Sequence, residues 1–261
     1  MVPRCLLFID TLQLATQAQK VQALVEREDL LQSLFRRMLP ERCAALWALQ
    51  PSTDRDESGP IMKRIRKNGL DMAEYTFSAI NGPDKQYIAL NEDISRANHS
   101  CRPNAKYTFH RPSFSSRLRA VRDIKAGEEI CISYVPLNGP CAQRQGHLAP
   151  YGFNCSCAAC ADHTVSDERR ARISISVVED EKVPKRQEFE RISEQIELLQ
   201  REGLECLPVY FNNILYMLRL CAQVGEWAKL STYNEKMMGL SPLFSDGMDE
   251  EQAEQLAFLG L

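Results

Sequence analysis

The sequence predicts an α+β protein, with a β-rich centre between two helical ends. Three observations carry that expectation. Residues 72–134 divide into short β-rich runs separated by turn signals. Apolar residues recur at helical spacing over residues 11–50 and again from Glu188 onward. A C-x-C-x-x-C cluster, Cys155, Cys157 and Cys160, closes the β-rich stretch with a spacing typical of metal ligands. The succession of short strands is not a βαβ alternation, so no Rossmann-like cofactor domain is expected.

Composition bounds the rest. In 261 residues, 44% are apolar and 32 basic residues stand against 35 acidic ones. That suits one large or two small globular domains. The mildly acidic balance excludes broad nucleic-acid binding through a basic surface. Ten cysteines over this length do not form the dense framework of a small secreted domain. The apolar run Cys5 to Ile9, interrupted by Asp10, is too short for a membrane span and a poor signal-peptide core. The expected location is the nucleus and/or cytoplasm, with no membrane partner.

In order along the chain, Asp10 or Thr11 can cap a first helix, with Ala15, Ala18, Val21, Leu24 or Val25, Leu31, Leu34 and Met38 on one face. Pro40 suits the first turn of a second helix. Residues 51–60 are a polar connection. Lys63, Arg64, Arg66 and Lys67 lie on a short helix ended by Gly69. Residues 72–80 and 85–90 predict a hairpin about the turn Asn81-Gly82-Pro83-Asp84. Strands follow at 105–109, 117–122 and 130–134. After Cys160 the pattern becomes helical. Residues 188–199 are amphipathic, and Leu207, Phe211, Ile214, Leu218 and Cys221 form a stripe. Gly225 then breaks the chain before a further stripe at Trp227, Leu230, Tyr233 and Met237. The acidic stretch 246–254 predicts a solvated terminal helix.

The cysteines point to a structural zinc. Such a site takes four thiolate or imidazole ligands in a tetrahedron, each thiolate about 2.3 Å from the metal. Cys155, Cys157 and Cys160 supply three. Cys101, inside a second polar block, is the candidate for the fourth, with Cys131 and Cys141 as alternatives.

Three motifs occur in sequence: Asn98-His99-Ser100-Cys101-Arg102-Pro103-Asn104, then Gly127-Glu128-Glu129-Ile130 leading to Tyr134, then Tyr151-Gly152-Phe153-Asn154-Cys155-Ser156-Cys157-Ala158-Ala159-Cys160. Ser95-Arg96 precedes the first and Arg144-Gln145 lies between the second and third. In this order they resemble the SET-domain protein lysine methyltransferases, most of all the SET-and-MYND-like branch in its fungal-type form without the MYND finger. The clear resemblance covers residues 60–162 and weakens on either side.

The resemblance implies a β-clip SET core with a knot-like crossing, and a tetratricopeptide-like helical C-terminal region. The implied segments are a helical insert region over 1–70, a SET β core over 71–136, a post-SET zinc segment over 137–162 and a helical region over 163–261. It implies transfer of a methyl group from S-adenosyl-L-methionine to a lysine amine of a histone or other protein, a chromatin-type activity. Tyr134 matches the active-site tyrosine. With an ordinary phenol pKa of about 10, it would orient the reactants rather than act as a base. Asn98 and His99 match the cofactor-binding pair, and Phe153 would lie against the adenine. Tyr151 would line the substrate channel. Cys101, Cys155, Cys157 and Cys160 would hold a structural zinc. Protein partners would dock on the helical C-terminal region. The family's Gly-x-Gly segment has no counterpart, since the first glycine is Gly59. The chain is therefore expected to be N-terminally shortened. The alternative function is an inactive or truncated SET-like interaction scaffold.

Overall fold

The computed structural model describes residues 5–9, 16–52, 58–71, 87–110, 113, 115–177 and 182–245. They fall into two compact units. The first comprises Met1–Ala97, Phe109–Ser116 and Leu148–Phe153; the second comprises Asn98–Thr108, Arg117–His147 and Asn154–Leu261.

In the first unit, strands β1 (Cys5–Ile9), β2 (Leu70–Asp71) and β3 (Tyr87–Asn91) form an antiparallel sheet in the order β1-β3-β2. Leu7 of β1 and Leu70 of β2 both stand opposite Ala89 of the central β3. Three helices accompany it: α1 (Gln17–Phe35), α2 (Pro40–Trp47) and α3 (Pro60–Asn68). Pro40 and Pro60 each open their helix, where a missing N–H costs nothing. The core is built from Leu31 and Phe35 of α1, Leu46 of α2, Leu49, and Ile61, Met62 and Ile65 of α3, closed by Leu90 of β3. On α1 the buried stripe runs through Leu24 rather than Val25, which is 48% exposed.

One member of that stripe is a carboxylate. Glu28 is buried, and its two oxygens accept the backbone N–H groups of Ile61 and Met62, each at 3.0 Å. It thereby caps α3 from another helix. The residue at the N-cap itself, Gly59, makes no side-chain cap, and a Cβ there would lie 2.1 Å from the Glu28 carboxyl carbon. Sequence proximity cannot reveal a cap donated from 33 residues away. Replacing Glu28 by Ala orphans two buried donors. We expect a loss of about 2 kcal/mol, read as a lower urea midpoint at unchanged slope; an unshifted midpoint would contradict the capping role.

In the second unit, strand β4 (Asn98–His99) runs parallel to β7 (Cys131–Ile132), pairing Asn98 with Cys131 and His99 with Ile132. Between them lies the pair β5 (Ala105–His110) and β6 (Ser115–Ala120), whose tip belongs to the first unit. Asn104, 2% exposed, ties these pieces together. Its Oδ1 accepts the Cys131 N–H at 2.8 Å, its Nδ2 donates to Glu128 and to the Glu129 carbonyl, and its own carbonyl accepts the Val121 N–H. Strand β7 is shorter than the expected run 130–134. Ser133 Oγ donates to the Val135 carbonyl at 2.5 Å, a local turn that competes with the ladder.

Helices α4 (Cys141–Leu148), α5 (Ala158–Ala161) and α6 (His163–Ala171) follow. No local pattern of residues marks α4, whose first N–H is capped by Asp167 at 2.9 Å. Then come α7 (Lys185–Arg201), α8 (Pro208–Val224) and α9 (Trp227–Ser245), with α8 packed against both neighbours. That central place explains why α8 buries Tyr210, Phe211, Ile214, Met217, Leu220 and Cys221 rather than a single stripe. Gly225 ends α8 in the left-handed region at φ +78°, as its position in the sequence suggested.

A buried ion pair joins these helices to the β-rich part of the unit. Arg170 Nε meets Glu202 Oε2 at 3.0 Å, with both side chains about 2% exposed or less. Ser166 Oγ also donates to that carboxylate, at 2.6 Å. Burial opposes the charge on Glu202, but donors on Ser166, Arg169 and Arg170 outweigh it and hold the carboxyl below its usual range. The far end of Arg170 donates to the carbonyls of Cys101 at 2.9 Å and Leu137 at 2.7 Å.

The first arm of the expected hairpin at 72–80, its turn at 81–84, the cap at Asp10 or Thr11 and the terminal acidic stretch 246–254 lie outside the described residues.

Candidate functional site

The site starts from four sulfurs. Cys101 follows β4, Cys155 lies in the loop before α5, Cys157 is the N-cap of α5, and Cys160 is inside it. Their Sγ atoms all lie within 4.8 Å of one another. Cys101 Sγ is 4.0 Å from Cys155 Sγ and 3.6 Å from Cys160 Sγ. Sulfurs about 2.3 Å from a tetrahedral ion stand about 3.8 Å apart, so these separations fit zinc. A disulfide needs about 2.05 Å, and all four residues are thiols. Cys101, rather than Cys131 or Cys141, completes the set.

Local structure delivers each thiol. Cys160 is held by its N–H to the Cys157 carbonyl at 2.8 Å. Cys155 is gripped at its backbone by Gln145, whose Oε1 accepts the Cys155 N–H at 2.9 Å while its Nε2 donates to the Cys155 carbonyl at 2.7 Å. Arg170 fixes the Cys101 carbonyl.

The electrostatics fit a metal too. With protons as the only cations, the thiols cannot all ionise in one buried space. A hydrogen bond from Cys101 holds Cys157 down at about 3. Cys101 is pushed far up, by that hydrogen bond and by burial, and burial beside the Cys157 thiolate pushes Cys160 up to about 12. A divalent ion removes this conflict by taking all four as thiolates. The decisive sign is Arg144. It is 0% exposed, and its Nη1 donates to the Gly139 carbonyl at 2.6 Å and meets Asp167 at 3.3 Å. Its Nε and Nη2 have no hydrogen-bond partner among the described residues. Burial opposes its charge, yet the Cys101 and Cys160 thiols raise it above its ordinary value. A buried cation beside these thiols suits a negatively charged tetrathiolate centre.

From the cysteines a short relay leads to the tyrosine. His99 Nε2 lies 3.4 Å from Cys101 Sγ, and its Nδ1 accepts the Tyr134 backbone N–H at 3.1 Å. Since Nδ1 accepts, the proton of the neutral ring is on Nε2 and points at the sulfur. Burial pushes His99 down to about 4, which keeps the ring neutral near pH 7. The His99 and Tyr134 rings are 5.5 Å apart, tilted by 48°. Asn98 is exposed on β4, and its Nδ2 donates to Glu129 Oε1 at 2.5 Å.

Asn98, His99, Tyr134 and the four cysteines thus belong to the second unit. Tyr151 and Phe153 belong to the first, half-buried and 38% exposed respectively, on either side of Gly152 at φ +78°. Arg144, Gln145 and Glu129 stand in or beside the sequence motifs, but nothing in the residue types alone assigned them these contacts.

Residues 11–135 match the family model for the SET domain. Over that span the chain is SET-like. Its SET match covers the β4 and β7 strands and Tyr134, and stops before the C-x-C-x-x-C cluster. Among curated proteins, the chain is similar to N-lysine methyltransferase SMYD2 of Homo sapiens, 24% identical over 211 residues, 71% of this chain and 46% of that protein. Histone-lysine N-methyltransferase set5 of Schizosaccharomyces pombe is 38% identical over 86 residues, 31% of this chain and 27% of that protein. N-lysine methyltransferase SMYD2-B of Danio rerio is 40% identical over 101 residues, 38% of this chain and 21% of that protein. The chain spans less than half the length of each of these relatives.

Proposed function

We propose that this chain acts as a SET-type protein lysine N-methyltransferase that uses S-adenosyl-L-methionine. The observation that carries the reading is the junction of β4 and β7. It holds Asn98, His99 and Tyr134 together through the His99–Tyr134 hydrogen bond, inside the SET match. The relatives are named as methyltransferases of lysine, one of them of histone lysine, and the proposed substrates are lysine side chains of histones or other proteins.

The cofactor supplies a methyl group activated on a sulfonium. The residues of the chain bind and align. Asn98 spends its Nδ2 on Glu129, which leaves Oδ1 as the acceptor for a cofactor ammonium. His99 uses both ring nitrogens on Cys101 and Tyr134, so its contact with the adenine edge is through the backbone. Tyr134 would direct its hydroxyl to the reacting amine, orienting it without serving as base. By the resemblance, Phe153 would lie against the adenine and Tyr151 along the lysine stem, for which an aromatic wall is suited. Rate then comes from positioning and preorganised dipoles. Zinc on Cys101, Cys155, Cys157 and Cys160 is structural, because four protein ligands leave no open position.

The finer architecture belongs to the same reading: a β-clip core with a knot-like crossing, a helical insert region over 1–70, a β core over 71–136, a post-SET segment over 137–162 and a tetratricopeptide-like helical region over 163–261 that docks protein partners. Nuclear and/or cytoplasmic residence follows from the substrates proposed. No described helix is long and apolar enough to cross a membrane.

The test is calorimetric titration of S-adenosyl-L-methionine into zinc-loaded protein, followed by transfer of labelled methyl to histone and non-histone proteins. Micromolar binding and label in lysine are expected. A folded, zinc-loaded chain that neither binds the cofactor nor transfers label would overturn the proposal in favour of a scaffold.

A further inference from the structure

We propose that Arg144 is the charge-balancing partner of the cysteine metal centre, and that its buried guanidinium sets how tightly the centre holds its ion. The inference rests on the zinc reading above and goes beyond it to a residue that is not a ligand.

A guanidinium carries five N–H donors and is charged at any ordinary pH. Arg144 is entirely buried, which is costly for a cation unless it is paired and hydrogen-bonded. Among the described residues only its Nη1 end is served, by the Gly139 carbonyl and by one Asp167 oxygen at 3.3 Å. Asp167 itself is 25% exposed and also caps Cys141. The three N–H donors on Nε and Nη2 have no hydrogen-bond partner among the described residues. Arg144 stands next to Gln145, whose side chain grips the Cys155 backbone, and the Cys101 and Cys160 thiols act on its charge. Those two thiols are 3.6 Å apart.

Four thiolates around a divalent ion sum to two negative charges. A buried cation beside two of the four offsets one of them. The same thiolates give the otherwise unserved N–H donors their acceptors. His99 contributes a second donor to the cluster, its Nε2 to Cys101. Arg144 therefore stabilises the loaded state more than the empty one. Groups one step beyond the ligands typically change metal affinity about 10- to 100-fold.

The experiment uses the whole chain, loaded with zinc, in competition with a chromophoric chelator. Arg144→Met keeps the apolar stem and removes the charge; it is expected to weaken zinc binding about 10- to 100-fold. Arg144→Lys restores the charge without the planar fork and should lose clearly less. Asp167→Asn removes the competing anion while leaving an oxygen for the Cys141 N–H, and should hold zinc at least as tightly as the native chain. Cobalt(II) in place of zinc gives a spectroscopic reading. In Arg144→Met the tetrahedral d–d bands should persist, while the thiolate-to-cobalt charge-transfer band moves to lower energy.

Equal zinc affinity in Arg144→Met and the native chain, with an unmoved charge-transfer band, would overturn the proposal. So would Asp167→Asn losing zinc as severely as Arg144→Met, because the Arg144–Asp167 tether and not the cation would then be the cause. A native chain that takes up no zinc or cobalt would instead overturn the metal reading beneath it.

Discussion

Cys101→Ala is expected to empty the metal centre and loosen the second unit around it. Bound zinc should fall from one per chain towards none under mild chelation. Structural zinc contributes about 10–16 kcal/mol in small peptides, where it is nearly the whole folding energy. Here α7, α8 and α9 have an apolar core of their own, so part of the unit survives and the loss is smaller. We expect the melting temperature to fall by about 10 °C or more. Exchange of the Tyr134 amide should also accelerate, because its acceptor is His99, whose other nitrogen rests on Cys101. Cys131→Ser and Cys141→Ser should keep their zinc, since neither sulfur belongs to the group of four. Retention of full zinc by Cys101→Ala, or its loss from Cys131→Ser, would refute the ligand assignment.

The second large effect is on the reaction. Tyr134→Phe should lower methyl-transfer turnover by about 10²- to 10³-fold, the range for losing one preorganised dipole at a reacting centre. Zinc content and melting temperature should hardly move. The link from Tyr134 to His99 uses the backbone N–H, and the ring contact with His99 is available to phenylalanine as well. Cofactor affinity should be nearly unchanged, because the hydroxyl is assigned to the reacting amine. Full turnover in Tyr134→Phe would remove Tyr134 from the mechanism. Equal loss of turnover and zinc would make it a packing residue.

Much of this was legible because it was local. Pro40 at the start of α2, Gly69 after α3 and Gly225 after α8 act within a turn of where they stand, so those helix limits followed from residue order. The C-x-C-x-x-C spacing announced three thiols, since a short loop brings them together whatever surrounds it. The fourth needed a contact across 54 residues, and only the companion motif around Asn98 suggested Cys101. Long-range polar contacts were not legible at all. Glu28 looks like one more charge on a helix, and its burial follows only from where α3 begins. Arg144 and Gln145 sit in a helix whose cap comes from Asp167, so neither the helix nor their contacts showed in the local pattern. Strand β7 proved shorter than its apolar run because Ser133 turns the chain, a side-chain effect that propensity averages away.

The grip of Arg170 on the Cys101 carbonyl has a consequence for how the protein is made. The contact closes a loop of 69 residues, and the arginine is itself neutralised by Glu202. On the ribosome, all four cysteines have been added once Cys160 is in the chain, yet Glu202 comes 42 residues later (202 − 160). At translation rates of about 5–20 residues per second that gap lasts roughly 2–8 s. Through it the nascent chain carries a complete set of thiols whose backbone support is unfinished. Stable metal binding therefore waits on residues made after the last ligand.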